Sequence, residues 1–109
     1  MISELVTLAI KCYELNPDLR VRVQFVKDLG ATARTLNCTS YYKILLNKNA
    51  SITVEVFVHE LAHVVAWERP DLGAKGHNTE YMNILYTLYQ EAQEDNTHGD
   101  ASLKSVVAL

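Results

Sequence analysis

Apolar and polar residues follow one another along the chain in a pattern that predicts three helices and three short strands. Apolar residues with helical spacing from 2 to 15 predict an N-terminal helix. Ser3 is suited to cap its start, and Asn16 and Pro17 stop it. This helix is expected to serve packing.

Three segments after this helix have the composition of strands. Residues 20 to 26 alternate polar and apolar, which is typical of a half-buried strand. Residues 31 to 36 and Tyr41 to Leu46 predict two more, and polar turns separate all three. Short strands joined by tight turns favour an antiparallel meander.

The segment from 52 to 68 is rich in β-branched residues but predicts a helix. It is too long for one strand, and Ser51 and Pro70 bound it. Because it is apolar on nearly every face, we expect it to be the buried central helix. Phe57 and Trp67 are therefore expected in the core rather than in contact with a substrate.

A loop with Pro70, Gly73 and Gly76 leads to a last helix from 78 to 94, for which Asn78 is a suitable cap. The prediction is an α+β fold: a small zincin-like domain over residues 1 to 94, with a short three-stranded antiparallel sheet and a C-terminal tail over 95 to 109. A short helix from 103 to 109 fits the tail.

Composition and charge narrow the classes of function. The chain has 109 residues, 49% of them hydrophobic, and a net charge of −3, which suits one soluble globular domain. DNA binding is not indicated, because Lys and Arg are scattered and the stretch from 91 to 100 is acidic. No apolar run reaches the roughly 20 residues that cross a bilayer, and no secretory signal is evident, so a cytoplasmic location is expected.

The segment His59-Glu60-Leu61-Ala62-His63 matches the HExxH pattern. Residues four apart lie on one side of a helix, so both imidazoles can reach one zinc ion. Glu60 lies near the same side and is suited to take a proton from a zinc-activated water. Chance alone gives this pattern in roughly 1 in 100 chains of this composition, so the motif by itself does not decide the function. Its position inside an apolar helix supports metal binding, because buried imidazoles and a carboxylate require partners or a metal. A metal-free pair of buried histidines is the structural alternative.

A catalytic zinc requires a third protein ligand and one open position. The extended pattern HExxHxxGxxH fails, because Ala66 and Arg69 stand at its last two positions. Three residues remain as candidates: Asp71, His77 and Glu80. His77 is preferred, because the loop is long enough to bring it back to the first helix and Gly76 frees the backbone there. His98 is expected to be solvated in the polar tail.

HExxH followed by Gly76-His77-Asn78-Thr79-Glu80-Tyr81 resembles the SprT-like zinc metallopeptidases, over roughly residues 1 to 90. The resemblance implies His59, His63 and His77 as zinc (Zn²⁺) ligands and Glu60 as the catalytic acid and base. Many members of that family also carry a zinc ribbon or basic DNA-binding segments. This sequence has neither, and Cys12 and Cys38 form no CxxC pair, so a minimal catalytic core is expected.

The predicted function is thus a zinc-dependent metalloendopeptidase, whose partner is a protein or peptide substrate. The alternative is a non-catalytic, zinc-stabilised protein-binding module, which would act as an adaptor or inhibitor. Substrate is expected to pair with an exposed strand edge, for which Tyr41 to Leu46 is the candidate. Tyr81 is expected to pack against the helix that carries the HExxH segment. The functional alternative is that its hydroxyl points at the metal site.

Overall fold

The computed structural model describes residues 2 to 95, and each helix and strand predicted within this range forms with bounds shifted by no more than two residues. The elements are α1 (Ile2–Tyr13), β1 (Val21–Val26), β2 (Ala33–Asn37), β3 (Tyr42–Asn47), α2 (Val54–Glu68) and α3 (Thr79–Asp95). A short 3-10 helix, Pro70–Leu72, follows α2. The fold is α+β, as predicted. The tail beyond residue 95, with its proposed short helix, lies outside the described residues.

The sheet is mixed, so the prediction of a three-stranded antiparallel meander is wrong. Its strand order is β1-β3-β2. β3 pairs in parallel with β1 and antiparallel with β2. Consecutive strands β1 and β2 therefore do not pair, and the chain passes over the place that β3 later fills.

The order of the strands follows from their burial. In β3, Tyr42, Ile44 and Leu46 are all buried and face the helices, which suits the central position. β2 carries Arg34 and Asn37, both exposed, and such polar strands are typical of sheet edges. The expected substrate edge at Tyr41 to Leu46 is therefore also wrong, because β3 has a neighbour on each side. Within residues 2 to 95, the open edge closest to α2 belongs to β2.

Helix α2 forms the centre of the core, as its apolar composition predicts. Phe57, Leu61 and Val65 are completely or almost completely buried. They belong to a cluster that also takes in β3, α1 and the inner side of α3. Burying a side chain such as Phe or Leu contributes about 1.5–3 kcal/mol. The HExxH segment thus lies on the helix with the most buried residues in the described part of the chain.

Both ends of α2 are fixed by specific hydrogen bonds. The Thr53 hydroxyl caps the first turn by accepting the Val56 amide at 3.2 Å. At the other end, the Arg69 amide donates to the Val65 carbonyl at 2.8 Å. The Arg69 guanidinium also donates to the Tyr13 carbonyl at the end of α1. The register of the helix relative to its neighbours is therefore well defined.

In the part of the chain that the structure describes, no helix combines the length and apolar character that crossing a bilayer requires. Cys12 and Cys38, which both lie in that part, form no disulfide.

Candidate metal centre

The histidines of the HExxH segment lie one turn apart on the side of α2 that faces the loop after it. His59 and His63 are both half-buried, while their neighbour Leu61 on the opposite side is in the core. Their rings are 5.5 Å apart between centroids and lie edge to face. The four-residue spacing thus places both imidazoles on one surface, as the sequence predicts.

The loop between α2 and α3 brings His77 to the same surface. Gly73 and Gly76 have φ values of 75° and 55°, which lie in the left-handed region that favours glycine. Asn78 then holds the loop: its side chain accepts the amides of Tyr81 at 3.0 Å and Lys75 at 3.2 Å. Asn78 also donates to the Gly73 carbonyl at 3.1 Å. The predicted cap of α3 therefore also fixes the position of His77.

His59, His63 and His77 form a cluster that is close enough to bind one metal ion. One nitrogen from each lies within 4.8 Å of the other two. The Nε2 atoms of His63 and His77 are 3.4 Å apart. Two imidazole nitrogens bound tetrahedrally to one zinc at about 2.0–2.1 Å would be about 3.3 Å apart. The spacing of this pair thus already matches that of ligands sharing a metal.

The other candidates for a third ligand are not part of this cluster. Asp71 instead makes a bidentate ion pair with Arg69, with N–O distances of 2.9 and 2.8 Å. Glu80 is exposed on the first turn of α3. His98 lies outside the described residues. Of the three residues compared in the sequence, His77 alone joins His59 and His63.

The ring of Tyr81 packs against the rings of all three histidines. Its centroid lies 5.5 Å from that of His59, 4.7 Å from that of His63 and 4.9 Å from that of His77. The side chain is fully buried, and its hydroxyl donates to the His59 carbonyl at 2.6 Å. Tyr81 therefore ties α3 to α2, and its hydroxyl is directed at the helix backbone.

Burial and the neighbouring rings shape the acid–base properties of the cluster. Burial, followed by the charges that His59 and His77 would carry, lowers the pKa of His63 to about 4. A histidine must be neutral to bind a metal, and His63 is neutral at pH 7. Burial, followed by the nearby Glu60, raises the pKa of Tyr81 above its usual range. Tyr81 thus remains a neutral donor.

Glu60 is the one charged residue in the buried core of the described region, with 7% of its surface exposed. Its Oε1 accepts a hydrogen bond from the Thr35 hydroxyl of β2 at 2.6 Å, which is typical of a charge-assisted bond. The same hydroxyl lies 3.3 Å from the Glu60 carbonyl oxygen. The carboxylate is thus held in one orientation, beside the histidines, by the edge strand.

Two clefts flank the histidine cluster. The first has a volume of about 350 Å³ and lies between β2 and α2, where it is lined by Ala33, Val56, His59 and Glu60 among others. The second has a volume of about 430 Å³ and lies beyond His63, against Trp67 and the loop after α2. Trp67 is 43% exposed, so the prediction that it belongs to the core is wrong. Phe57, by contrast, is fully buried, as predicted.

Thr35 and Trp67 are the residues of this site that the sequence analysis missed. Trp67 follows His59 and His63 at the same four-residue interval, so helical periodicity alone places it on the histidine side of α2. That signal was present in the sequence. No local pattern marks Thr35, which lies 25 residues from Glu60 and meets it only through the packing of β2 on α2.

A comparison of the chain with models of known protein families gives no match, and searches of characterised proteins and of solved structures give none either. The resemblance to SprT-like peptidases therefore rests on the motif residues alone. What the geometry adds is a cluster of three histidines beside an oriented glutamate.

Proposed function

We propose that this protein is a zinc-dependent metalloendopeptidase in which His59, His63 and His77 hold the metal and Glu60 is the general base and acid. The observation that carries the proposal is that three histidines converge next to a buried carboxylate. The resemblance of the motif residues to those of SprT-like peptidases implies the same three ligands and the same glutamate.

The donor set favours zinc. Three neutral imidazoles that leave a fourth tetrahedral position open are typical of catalytic zinc sites, whereas structural sites are closed by four protein ligands. In residues 2 to 95, no cysteine or carboxylate completes the cluster as a fourth member. When bound, zinc would polarise the scissile carbonyl and lower the pKa of the attacking water towards about 7.

Glu60 provides the proton transfers that hydrolysis requires. Its carboxylate accepts a proton from the water as the oxygen attacks the scissile carbonyl, and it then passes this proton to the leaving amine. One carboxylate oxygen is occupied by the Thr35 hydroxyl, which leaves the other for this exchange. A role limited to holding zinc would not require a buried glutamate at this place.

The open edge of β2 is suited to hold the substrate backbone. Ala33 lines the first cleft, Thr35 contacts Glu60, and Asn37 pairs with Tyr42, on which Trp67 stacks. β2 therefore runs past the metal cluster from the first cleft towards the second. An extended peptide that pairs with this edge would pass both clefts, with its scissile bond near the histidines.

Cleavage of an unfolded protein by the zinc-loaded chain tests this function, with Glu60→Gln measured beside it. We expect the variant to keep zinc but to lose at least about 100-fold in kcat, the scale of general acid–base catalysis. Equal cleavage by both proteins would reject Glu60 as the base. Zinc binding by both without any cleavage would favour the alternative, a zinc-stabilised protein-binding module.

A cytoplasmic location and a protein or peptide partner also remain proposals. The absence of a disulfide between Cys12 and Cys38 is compatible with a reducing compartment.

A further inference from the structure

The second cleft, defined by His63, Trp67 and the loop from 70 to 76, differs from the first in its chemistry. It shares His63 with the metal cluster, so whatever enters it lies directly beside the metal position. Its walls are mostly apolar and come from Ala66, Trp67, Pro70 and Ala74. Its volume of about 430 Å³ lies in the range of roughly 300–1,000 Å³ that is usual for small ligand sites.

Trp67 is fixed in place although much of it is exposed. Its ring stacks on that of Tyr42 with the centroids 5.7 Å apart and the planes within 2° of parallel. Tyr42 is itself held, because its hydroxyl donates to Glu68 at 2.6 Å. A large aromatic surface that needs no ordering on binding is a favourable contact for another apolar group. Trp67 thus offers a preformed apolar wall.

We propose that this cleft, the Trp67 cleft, is a substrate subsite that selects an aromatic or large aliphatic side chain close to the scissile bond. The proposal rests on the peptidase function proposed above. The centroids of the Trp67 and His63 rings are 6.1 Å apart. Residues of an extended peptide follow each other at about 3.3 Å, so the selected side chain lies within about two residues of the bond that is cut.

The charges around the two clefts differ in a way that favours an apolar substrate side chain in the Trp67 cleft. The first cleft is lined by two carboxylates, Glu55 and Glu60. The Trp67 cleft has no carboxylate among its lining residues, and Lys75 is the only one there with a permanent charge. A basic substrate side chain would meet Lys75 without a partner for its charge, which is unfavourable. An apolar side chain would instead cover Trp67.

Peptides built from Gly, Ala and Ser test the subsite, each with a single variable position occupied by Phe, Leu, Ala or Lys. For the zinc-loaded protein we expect kcat/KM to be at least about tenfold higher with Phe or Leu than with Ala, and lowest with Lys. Mass spectrometry of the fragments should place the cut within two residues of the variable position. In Trp67→Ala, the ratio of Phe to Ala cleavage should fall to within about twofold.

Two further variants separate selection from a folding defect. Trp67→Phe keeps an aromatic wall, so it should keep most of the Phe preference. Tyr86→Ala removes an aromatic side chain that is 62% exposed on α3 and does not line the cleft, so its preference should equal that of the wild type. Cleavage by Trp67→Ala with the full Phe preference would overturn the proposal.

A binding measurement keeps this result independent of turnover. Trp67 is the only tryptophan in the chain, so its fluorescence reports directly on the cleft. The zinc-loaded Glu60→Gln protein is titrated with the same peptides, and the Phe peptide should change the emission at a concentration at least about tenfold lower than the Ala peptide does. Such binding without cleavage by the wild type would reject the peptidase and keep the Trp67 cleft only as a binding site for apolar side chains. Cleavage without discrimination in either measurement would reject the subsite alone, and failure of both would reject the two proposals together.

Discussion

The two sides of α2 have different surroundings, although both come from one apolar stretch of sequence. On the inner side, Phe57, Leu61 and Val65 are buried against the sheet and the other helices. On the outer side, His59, His63 and Trp67 follow each other at four-residue intervals and border the two clefts. Removing a residue from the inner side should therefore cost stability, and removing one from the outer side should cost metal binding or selectivity.

The largest change in stability is expected on the inner side. Phe57→Ala should lower the free energy of unfolding by about 3–5 kcal/mol, because it leaves a cavity in a fully buried position. Tyr86→Ala, which removes an exposed aromatic side chain, should change it by no more than about 0.5 kcal/mol. Urea unfolding of the metal-free proteins gives both values. Equal losses in the two variants would contradict the division of α2 into two sides.

The three histidines should stabilise the fold through the metal. At a zinc concentration 100 times the Kd of the wild type, zinc should raise the free energy of unfolding by about 2.7 kcal/mol. His77→Ala should keep the stability of the metal-free protein but gain less than about 0.5 kcal/mol from the same zinc. Glu80→Ala is the matched control, since it removes the rival third ligand, and it should respond as the wild type does. If only Glu80→Ala lost the stabilisation by zinc, the third ligand would be Glu80 rather than His77.

Tyr81 belongs to the core and also contacts the histidines. Removing its hydroxyl should change the stability less than the two changes above. Tyr81→Phe removes the hydrogen bond to the His59 carbonyl but keeps the ring beneath the histidines. We expect a loss of about 1 kcal/mol in unfolding free energy and a change in zinc affinity of less than about tenfold. Denaturant unfolding and a zinc titration measure the two effects. A loss of zinc binding without a loss of stability would assign the hydroxyl to the metal site.

The pH dependence of the metal-free protein tests the environment of His63. The pKa of His63 is about 4 in the folded chain and about 6.5 when unfolded. Between these pH values the unfolded chain binds more protons, so the unfolding free energy should fall as the pH falls through this range. The Tm of the wild type should decline more steeply between pH 6.5 and 4 than that of His63→Asn. Parallel declines would remove His63 as the cause.

The elements of the fold could be predicted from the sequence because each depends on local signals. The apolar spacing of α1, the length of α2 and the cap at Asn78 are readable within a few residues, whereas the cap of α2 is Thr53, two residues beyond the predicted bound at Ser51. The strand order depends instead on which strand is best buried. β1 and β3 both have the composition of strands, and the packing of Tyr42, Ile44 and Leu46 on the helices identifies β3 as the central strand.

The candidate site shows the same division between local and distant signals. His59, Glu60 and His63 belong to one motif, and His77 was placed by loop length and Gly76. The Thr35 contact with Glu60 depends on the position of β2 at the sheet edge, which the meander hypothesis did not provide. The exposure of Trp67 was missed because an apolar stretch was read as buried on all sides.

Elemental analysis of protein purified without added metal is the most direct test that the outer side of α2 holds a metal. The wild type and Glu60→Gln should each contain about one zinc per chain, because Glu60 is not a ligand, and His63→Ala should contain almost none. A wild type without zinc, or a His63→Ala variant that retains it in full, would contradict the assignment of this histidine cluster as the metal centre.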